Sequence, residues 1–155
     1  MTRCILSVVS VDTVCSVKMS FYGKKYRRVG HDNVEELLAA AKDNEQLAAI
    51  FRSKPPTICF TKLDDNRIHV HLATDCHAYE YDFVLGQEKE IEKNDGSIMK
   101  VIFTEYSENI LDQYILMPNG RSAFFRRVFG ERDCKLIISM PETSITATIY
   151  FEVIE

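Results

Sequence analysis

The sequence contains no CxxC pair, no zinc-finger spacing and no glycine-rich phosphate loop. Their absence argues against a structural zinc site and against a phosphate-binding loop of the kind that holds nucleotides. No apolar run reaches the length of a membrane span, and there is no internal repeat or low-complexity segment. A net charge of -4 argues against general binding of nucleic acids, which requires a basic surface. The composition is that of an ordinary globular protein, and 155 residues are enough for one domain with a substantial core.

The cysteines are odd in number and have no spacing typical of metal ligands: Cys4, Cys15, Cys59, Cys76 and Cys134. This pattern favours a reducing compartment, in which thiols behave as small apolar side chains, and predicts a cytoplasmic protein. Residues 4–17 are mildly apolar and follow Arg3, which is typical of a signal peptide. However, Asp12 interrupts the apolar run and no convincing small-residue cleavage site follows it, so secretion is the less favoured alternative.

The domain is expected to span residues 19–155, because Met19 begins a segment that looks like a natural start. Residues 1–18 form an N-terminal extension with three interpretations: a strand, a flexible disordered arm, or upstream sequence from an alternative start. The first strand of the domain is predicted over residues 21–26, with a bend or bulge at Gly23.

Alternating strands dominate the last two thirds of the chain. Residues 68–72 and 79–83 alternate strictly between apolar and polar side chains, so each strand has one apolar face. Turn signals follow at residues 64–66, 86, 94–96, 107–109, 118–120, 130–133 and 141–143. Because Asn-Gly and Asp-Gly pairs favour hairpins, the pattern predicts about nine or ten antiparallel strands in an up-and-down barrel or a sandwich.

Two short helices are predicted before most of these strands. Asp32 begins a capping box, and the apolar spacing that follows favours a helix over residues 33–41. A second helix is predicted over residues 43–52, and the Pro-Pro pair at residues 55–56 ends it. A helix–turn–helix pair in this position would cover one end of a barrel as a lid.

The order and spacing of several motifs resemble the intracellular lipid-binding proteins, which include the fatty acid-binding and retinoid-binding proteins. The resemblance covers residues 19–155 and is carried by residues 19–26 (MSFYGKKY), 82–88 (DFVLGQE), 94–96 (NDG), 120–127 (GRSAFFRR), 133–136 (DCKL) and 147–150 (ATIY). It implies an all-β, ten-stranded, up-and-down antiparallel β-barrel of the calycin, lipocalin-like type. A helix–turn–helix lid would cover a lipid-holding cavity.

The resemblance also implies a ligand site. Members of this family usually hold a fatty-acid carboxylate with two arginines and a tyrosine, and counting from the Pro-Asn-Gly turn places the first arginine at Arg127. The Arg-x-Tyr motif of the final strand falls on Thr148 and Tyr150, so the tyrosine is kept and the second arginine is lost. The family's tryptophan in the first strand is absent as well. Arg127, Thr148 and Tyr150 are therefore the candidate ligand-binding residues.

Strand parity and the family register predict which other residues face the interior: Val70, Leu72, Thr74, Cys76, Tyr79, Tyr81, Phe83, Ile138 and Met140. His69 and His71 have a spacing that can bind a metal, but they fall on the opposite face and no third ligand is evident. The sequence thus predicts no metal site, no cofactor and no catalytic constellation.

The predicted function is a monomeric, noncatalytic carrier of a long-chain fatty acid or similar hydrophobic ligand. Two alternatives stay open at this point: a carrier of a retinoid or other neutral lipid, and an interaction protein whose lumen is filled by its own side chains. Residues 18–54 contain eight basic groups against five acidic ones, a charge of about +3. This basic lid region predicts transient contact with anionic membrane surfaces during delivery of the ligand.

Overall fold

The computed structural model describes residues 20–40, 56–74, 77–93, 95–141 and 143–154. Within these residues the chain forms ten strands and one helix, numbered here in chain order. They are β1 (Lys25–Asp32), α1 (Val34–Ala40), β2 (Thr57–Asp64), β3 (Arg67–Ala73), β4 (Ala78–Val84), β5 (Lys89–Glu92), β6 (Ile98–Ser107), β7 (Ile110–Leu116), β8 (Ser122–Phe129), β9 (Asp133–Ser139) and β10 (Thr146–Val153).

All ten strands belong to one antiparallel sheet, in the order β4-β3-β2-β1-β10-β9-β8-β7-β6-β5. Neighbours in the chain are neighbours in the sheet, apart from the β4–β5 step and the pairing of β1 with β10 that joins the two halves. The predicted up-and-down barrel is therefore confirmed. Each of the seven predicted turn segments falls where one strand gives way to the next, and all but the one at residue 86, which joins the unpaired strands β4 and β5, connect the two strands of a hairpin.

The barrel is nearly closed, and side chains bridge the place where its ends meet. In the described part of the chain no strand ladder joins β4 to β5. Instead, the Phe83 ring on β4 lies 4.7 Å from the Phe103 ring on β6, and Lys89 Nζ on β5 lies 5.8 Å from the Phe83 ring. Among the described residues the seam is thus held by apolar and cation–π contacts and by a backbone hydrogen bond from Gly86 N to Phe103 O at 2.7 Å, with no ladder between β4 and β5.

The first strand begins later than predicted. Residues 22 and 23 form a turn in which Gly23 has a φ of 86°, a conformation that glycine adopts without steric cost. The prediction of a strand over residues 21–26 was therefore right for residues 25 and 26 and wrong for residues 21–24, because that glycine signalled a turn before the strand and not a bend within it.

A β-bulge interrupts the pairing of β1 with β10. Tyr150 pairs with Gly30, but the next residue, Phe151, pairs with Arg28, so Val29 is an extra residue on β1. The extra residue changes which side chains of β1 face inward. Tyr26 and Arg28 face the interior, whereas Gly30 lies opposite the outward-facing Tyr150.

Helix α1 begins immediately after β1. Its first turn carries Glu35 and Glu36, whose charges suit the positive end of the helix dipole. Val34 and Leu37 are buried, and the helix packs against β10. The predicted second helix, over residues 43–52, lies outside the described residues. No helix in the described part of the chain is long and apolar enough to span a membrane.

The described basic residues do not gather around α1. Lys24 and Lys25 lie at the start of β1, the end of the barrel opposite the helix, and Lys24 Nζ donates a hydrogen bond to the Glu131 carbonyl. Arg28 lines the interior. The rest of the predicted basic lid region depends mainly on residues 41–55, which lie outside the described residues, so membrane contact stays a prediction.

Aromatic side chains close the end of the barrel opposite α1. Phe129, at the end of β8, stacks on Phe21 with ring centroids 3.9 Å apart and an interplanar angle of 7°. The same ring lies 5.4 Å from Tyr26 and 6.1 Å from Phe60. At the rim of this closed end, the Tyr22 hydroxyl donates to Glu105, which also pairs with Lys62 at 2.6 Å. A packed aromatic floor and a polar network thus separate the interior from solvent.

Replacing Tyr26 with Phe is expected to raise the free energy of unfolding by about 1 kcal/mol. Tyr26 is 1% exposed, and its hydroxyl has no hydrogen-bond partner among the described residues. Burial raises the pKa of this hydroxyl above its usual value, so it stays neutral. Urea denaturation of the two proteins measures the difference. Tyr150→Phe is the matched control, because the Tyr150 hydroxyl donates to Asp32 at 2.7 Å and its removal should not stabilise the fold. A loss of stability in Tyr26→Phe would contradict this prediction.

Candidate ligand-binding site

The barrel encloses a cavity of about 430 Å³. This volume is within the range of small-molecule sites, roughly 300–1,000 Å³. Its wall is mostly aliphatic and aromatic, and it receives residues from every strand, for example Val70, Phe103, Ile115, Ile138 and Ile149. The cavity argues against the alternative of a lumen filled by the protein's own side chains.

Arg127 projects from β8 into this cavity and is 7% exposed. Its Nη1 donates a hydrogen bond to Gln113 Oε1 at 2.8 Å. Its guanidinium carbon lies 5.2 Å from the Phe60 ring and 5.8 Å from the Phe125 ring. Burial lowers the pKa of Arg127 to about 10, so the group remains charged at neutral pH. In the part of the chain that the structure describes, no Asp or Glu forms an ion pair with it.

The neighbouring arginine shows what a paired cation looks like in the same strand. Arg126 faces the outside of the barrel, where its Nε and Nη2 both donate to Asp112 at 2.8 Å. Its guanidinium carbon lies 4.3 Å from the Tyr106 ring. Arg126 is thus neutralised by a bidentate carboxylate, while Arg127 has an amide and two aromatic faces.

The structure does not bring Tyr150 and Thr148 to Arg127. On β10 the inward side chains are Ala147, Ile149 and Phe151, so Thr148 and Tyr150 face outward. The Tyr150 hydroxyl donates to Asp32 on the outer surface. The sequence prediction matched one tyrosine to another and thereby placed the strand one residue out of register. Because side chains alternate, such a slip moves each of them to the opposite face.

The alternation of apolar and polar residues within β10 indicates correctly which of its side chains face inward. Apolar residues occupy positions 147, 149, 151 and 153, whereas the intervening positions are Thr, Thr, Tyr and Glu. Ile149 and Phe151 therefore occupy the lumen positions of this strand.

Sequence reasoning also missed two polar lining residues. Gln113 lies between Leu111 and Ile115 on the inward face of β7, and its place in that alternation could have identified it. Arg28 lines the cavity from β1 and is half-buried. It lies two residues after the buried Tyr26 on the same face of β1, so alternation with Tyr26 could have identified it.

The other predicted lumen residues divide into three groups. Six of them line the cavity: Val70, Leu72, Thr74, Tyr81, Phe83 and Ile138. Met140 is buried without lining the cavity, and Tyr79 is 42% exposed. Cys76 lies outside the described residues.

His69, the first residue of the histidine pair, has carboxylate partners that account for it without a metal. His69 is on the outer face of β3, where Nδ1 lies 2.5 Å from Asp82 Oδ1 and Nε2 lies 2.9 Å from Glu80 Oε1. The hydrogen bond to Asp82, followed by that to Glu80, raises the pKa of His69. Both ring nitrogens are occupied, and no group of three or more candidate ligands exists among the described residues.

Solved structures with the same fold include several fatty acid-binding proteins. The chain matches a fatty acid-binding protein of Schistosoma mansoni in complex with arachidonic acid with a TM-score of 0.72 and 17% identity, over 88% of this chain and 98% of that one. A fatty acid-binding protein from Manduca sexta matches with a TM-score of 0.71 and 19% identity, over 86% and 100%. No protein-family model and no curated protein matches the sequence.

A third structural match is not named as a fatty acid-binding protein. Secretory abundant heat soluble protein 4 from Ramazzottius varieornatus matches with a TM-score of 0.73 and 19% identity, over 91% of this chain and 99% of that one. The chain therefore has the fold of the fatty acid-binding proteins, as the sequence resemblance predicted. Because proteins with this fold are named for different properties, the fold alone does not give the function, which has to be argued from the cavity.

Proposed function

We propose that this protein binds a long-chain fatty acid or a similar amphiphile inside its barrel and carries it between membranes or other acceptors. The observation that carries the proposal is Arg127, a buried charged guanidinium in an apolar cavity, without a described carboxylate partner. Desolvating a cation is costly unless an anion compensates for it. A ligand carboxylate would supply that anion, with the Arg127 guanidinium as a bidentate donor.

The apolar wall supplies most of the expected affinity. A chain of about fifteen methylene-type carbons gains about 12 kcal/mol when buried, at about 0.8 kcal/mol per CH₂. Ordering the chain and losing its overall freedom offset several kcal/mol of that gain. Micromolar or tighter binding therefore remains after these costs, and the single arginine determines the preferred headgroup and its orientation.

The proposed role is noncatalytic. Support comes from the described lining residues, which comprise apolar side chains, Thr74, Tyr81, Gln113 and two arginines, with no nucleophile–base pair among them. The fatty acid-binding proteins of Schistosoma mansoni and Manduca sexta, which have the same fold, support the same role. A monomeric state and a cytoplasmic location stay predictions.

A carrier of a retinoid or another neutral lipid is the second candidate. Ile149 and Phe151 favour it, because they are apolar at the two lumen positions of β10. The amide of Gln113 offers a hydrogen-bond partner for a hydroxyl group. Direct competition between retinol and a fatty acid for the same protein separates the two candidates.

Delipidated protein titrated with a fluorescent fatty acid is expected to show saturable binding at one site, with a dissociation constant in the micromolar range or below. Unlabelled palmitic acid should displace the probe. Native mass spectrometry of freshly purified protein would show any retained lipid and its mass. The absence of saturable binding to any fatty acid would overturn the carrier proposal for this ligand class.

A further inference from the structure

The strand pair β7–β8 contains two arginine contacts that differ in the charge of the partner. Outside the barrel, the carboxylate of Asp112 accepts two hydrogen bonds from Arg126 at 2.8 Å. Inside the barrel, the amide oxygen of Gln113 accepts one hydrogen bond from Arg127 Nη1 at 2.8 Å. Asp112 therefore cancels the charge of its arginine, whereas Gln113 holds its arginine in place and adds no negative charge.

Gln113 lies on the cavity side of Arg127. On β7, Leu111 is the register partner of Arg127, and Gln113 comes two residues later. Phe129, two residues after Arg127 on β8, belongs to the aromatic floor, so Gln113 lies on the side away from that floor. The Arg127 side chain reaches this amide diagonally across the two strands. A ligand head that approaches Arg127 from the α1 end of the cavity therefore meets Gln113 as well.

The hydrogen bond to Arg127 determines which way the Gln113 amide faces. A guanidinium has donors only, so the amide atom that meets it has to be the oxygen. The other amide atom, Nε2, is then a donor, and it forms no hydrogen bond with an acceptor among the described residues. Because the Gln113 side chain lines the cavity, this donor and the remaining N–H groups of Arg127 can serve the same ligand head.

We propose that Gln113 determines the preference of this cavity for an anionic head: it orients Arg127 without neutralising it, and it donates a second hydrogen bond to the ligand carboxylate. This inference rests on the proposed function, because it assigns the headgroup specificity of the same site. A carboxylate has two oxygens, one for each donor, and a charge opposite to that of Arg127. A hydroxyl group has one oxygen and no charge, so it gains less from the same two residues.

Gln113→Glu tests this inference, because it gives Arg127 an ion-pair partner inside the cavity. A guanidinium that is already paired attracts a ligand carboxylate weakly, so palmitic acid should bind about 100-fold less tightly. Hexadecanol binding should change by less than about threefold, since the variant keeps an acceptor oxygen at this position. Partition of radiolabelled palmitic acid and radiolabelled hexadecanol between delipidated protein and a hydrophobic resin measures both affinities directly.

Two further variants separate the parts of the inference. Gln113→Met removes the second donor and adds no charge, so palmitic acid should bind about tenfold less tightly, with hexadecanol nearly unaffected. Asp112→Asn is the matched control, because it makes the reverse exchange of carboxylate and amide at the adjacent residue of β7, on the outer face. It should leave both ligand affinities unchanged.

The outcomes distinguish this inference from the carrier proposal. An unchanged affinity for palmitic acid in folded Gln113→Glu would overturn the specificity role, even if the wild-type protein binds fatty acid tightly. Equal losses of acid and alcohol binding would also overturn it, since they would indicate that Gln113 only supports the shape of the cavity. If neither ligand binds the wild-type protein, the carrier proposal itself fails. Circular dichroism and urea denaturation identify any variant that does not fold, and if Gln113→Glu is one of these, an unchanged acid-to-alcohol preference in Gln113→Met overturns the inference.

Discussion

Arg127→Met is expected to weaken the binding of palmitic acid by about 100-fold while changing the binding of hexadecanol by less than about threefold. Hydrogen bonds to charged groups contribute roughly 1.5–3 kcal/mol, which corresponds to a change of one to two orders of magnitude in the dissociation constant. The alcohol keeps the same buried chain and has no charge to lose. Displacement of a fluorescent fatty acid by each competitor measures both affinities.

Arg126→Met provides the control for this experiment. Arg126 is adjacent in sequence but faces outward onto Asp112, so its replacement should leave both ligand affinities unchanged. Equal losses of acid and alcohol binding in Arg127→Met would remove the proposed role of Arg127 as a carboxylate anchor.

The stability of Arg127→Met provides an independent check. Replacing a buried charge by an apolar side chain of similar volume is often neutral or stabilising, because the desolvation cost disappears. Gln113 Oε1 loses its donor in this variant, which offsets part of the gain. We therefore expect the ligand-free variant to unfold at a urea concentration equal to or above that of the wild type. A protein that binds fatty acid less tightly yet resists urea equally well has lost a ligand contact and not its fold.

Phe129→Ala is expected to lower the free energy of unfolding by about 3–5 kcal/mol, the usual cost of deleting a buried aromatic ring. Phe129 is 5% exposed and contacts Phe21, Tyr26 and Phe60 in the aromatic floor, so its removal leaves a cavity lined by rings that cannot readily collapse. For a domain of this size, the melting temperature should fall by on the order of 10 °C.

Phe124→Ala is the matched control for the floor. Phe124 lies on β8 as well, but it faces outward and is only half-buried, beside Arg126. Its truncation should cost about 1 kcal/mol, the average effect of a single substitution. Urea and thermal denaturation of both variants measure the difference. Similar losses in the two variants would show that the floor is not the strongly packed part of the barrel.

Much of the fold could be predicted because local signals agreed with one another. Strict alternation over residues 68–72 and 79–83 matches β3 and β4, and each Asn-Gly or Asp-Gly pair matches a hairpin. The apolar spacing after Asp32 matches helix α1. The start of β1 could not be found in this way, since the conformation of Gly23 is compatible with a turn or with a bend inside a strand.

The site was less predictable, because it depends on which face of each strand turns inward. Arg127 was named as a candidate by counting along the family motif from the Pro-Asn-Gly turn, and its side chain lines the cavity. Tyr150 and Thr148 were placed by matching residue types to a family motif, and the alternation of β10 places them outside. Arg28 shares the inward face of β1 with Tyr26, and the bulge at Val29 reverses the faces only for the residues that follow it, which is a property of the pairing between two strands and not of either sequence alone.

The extra residue at Val29 shows that the chemistry of this barrel's interior can change without any substitution inside it. One inserted amino acid exchanges the inner and outer faces for part of β1, while the strand keeps its partners on both sides. In an alignment of such barrels, this inserted residue would appear only as a one-residue gap, although it changes which side chains face the interior. In proteins of this architecture, the lengths of strands deserve the same scrutiny as the identities of the residues in them.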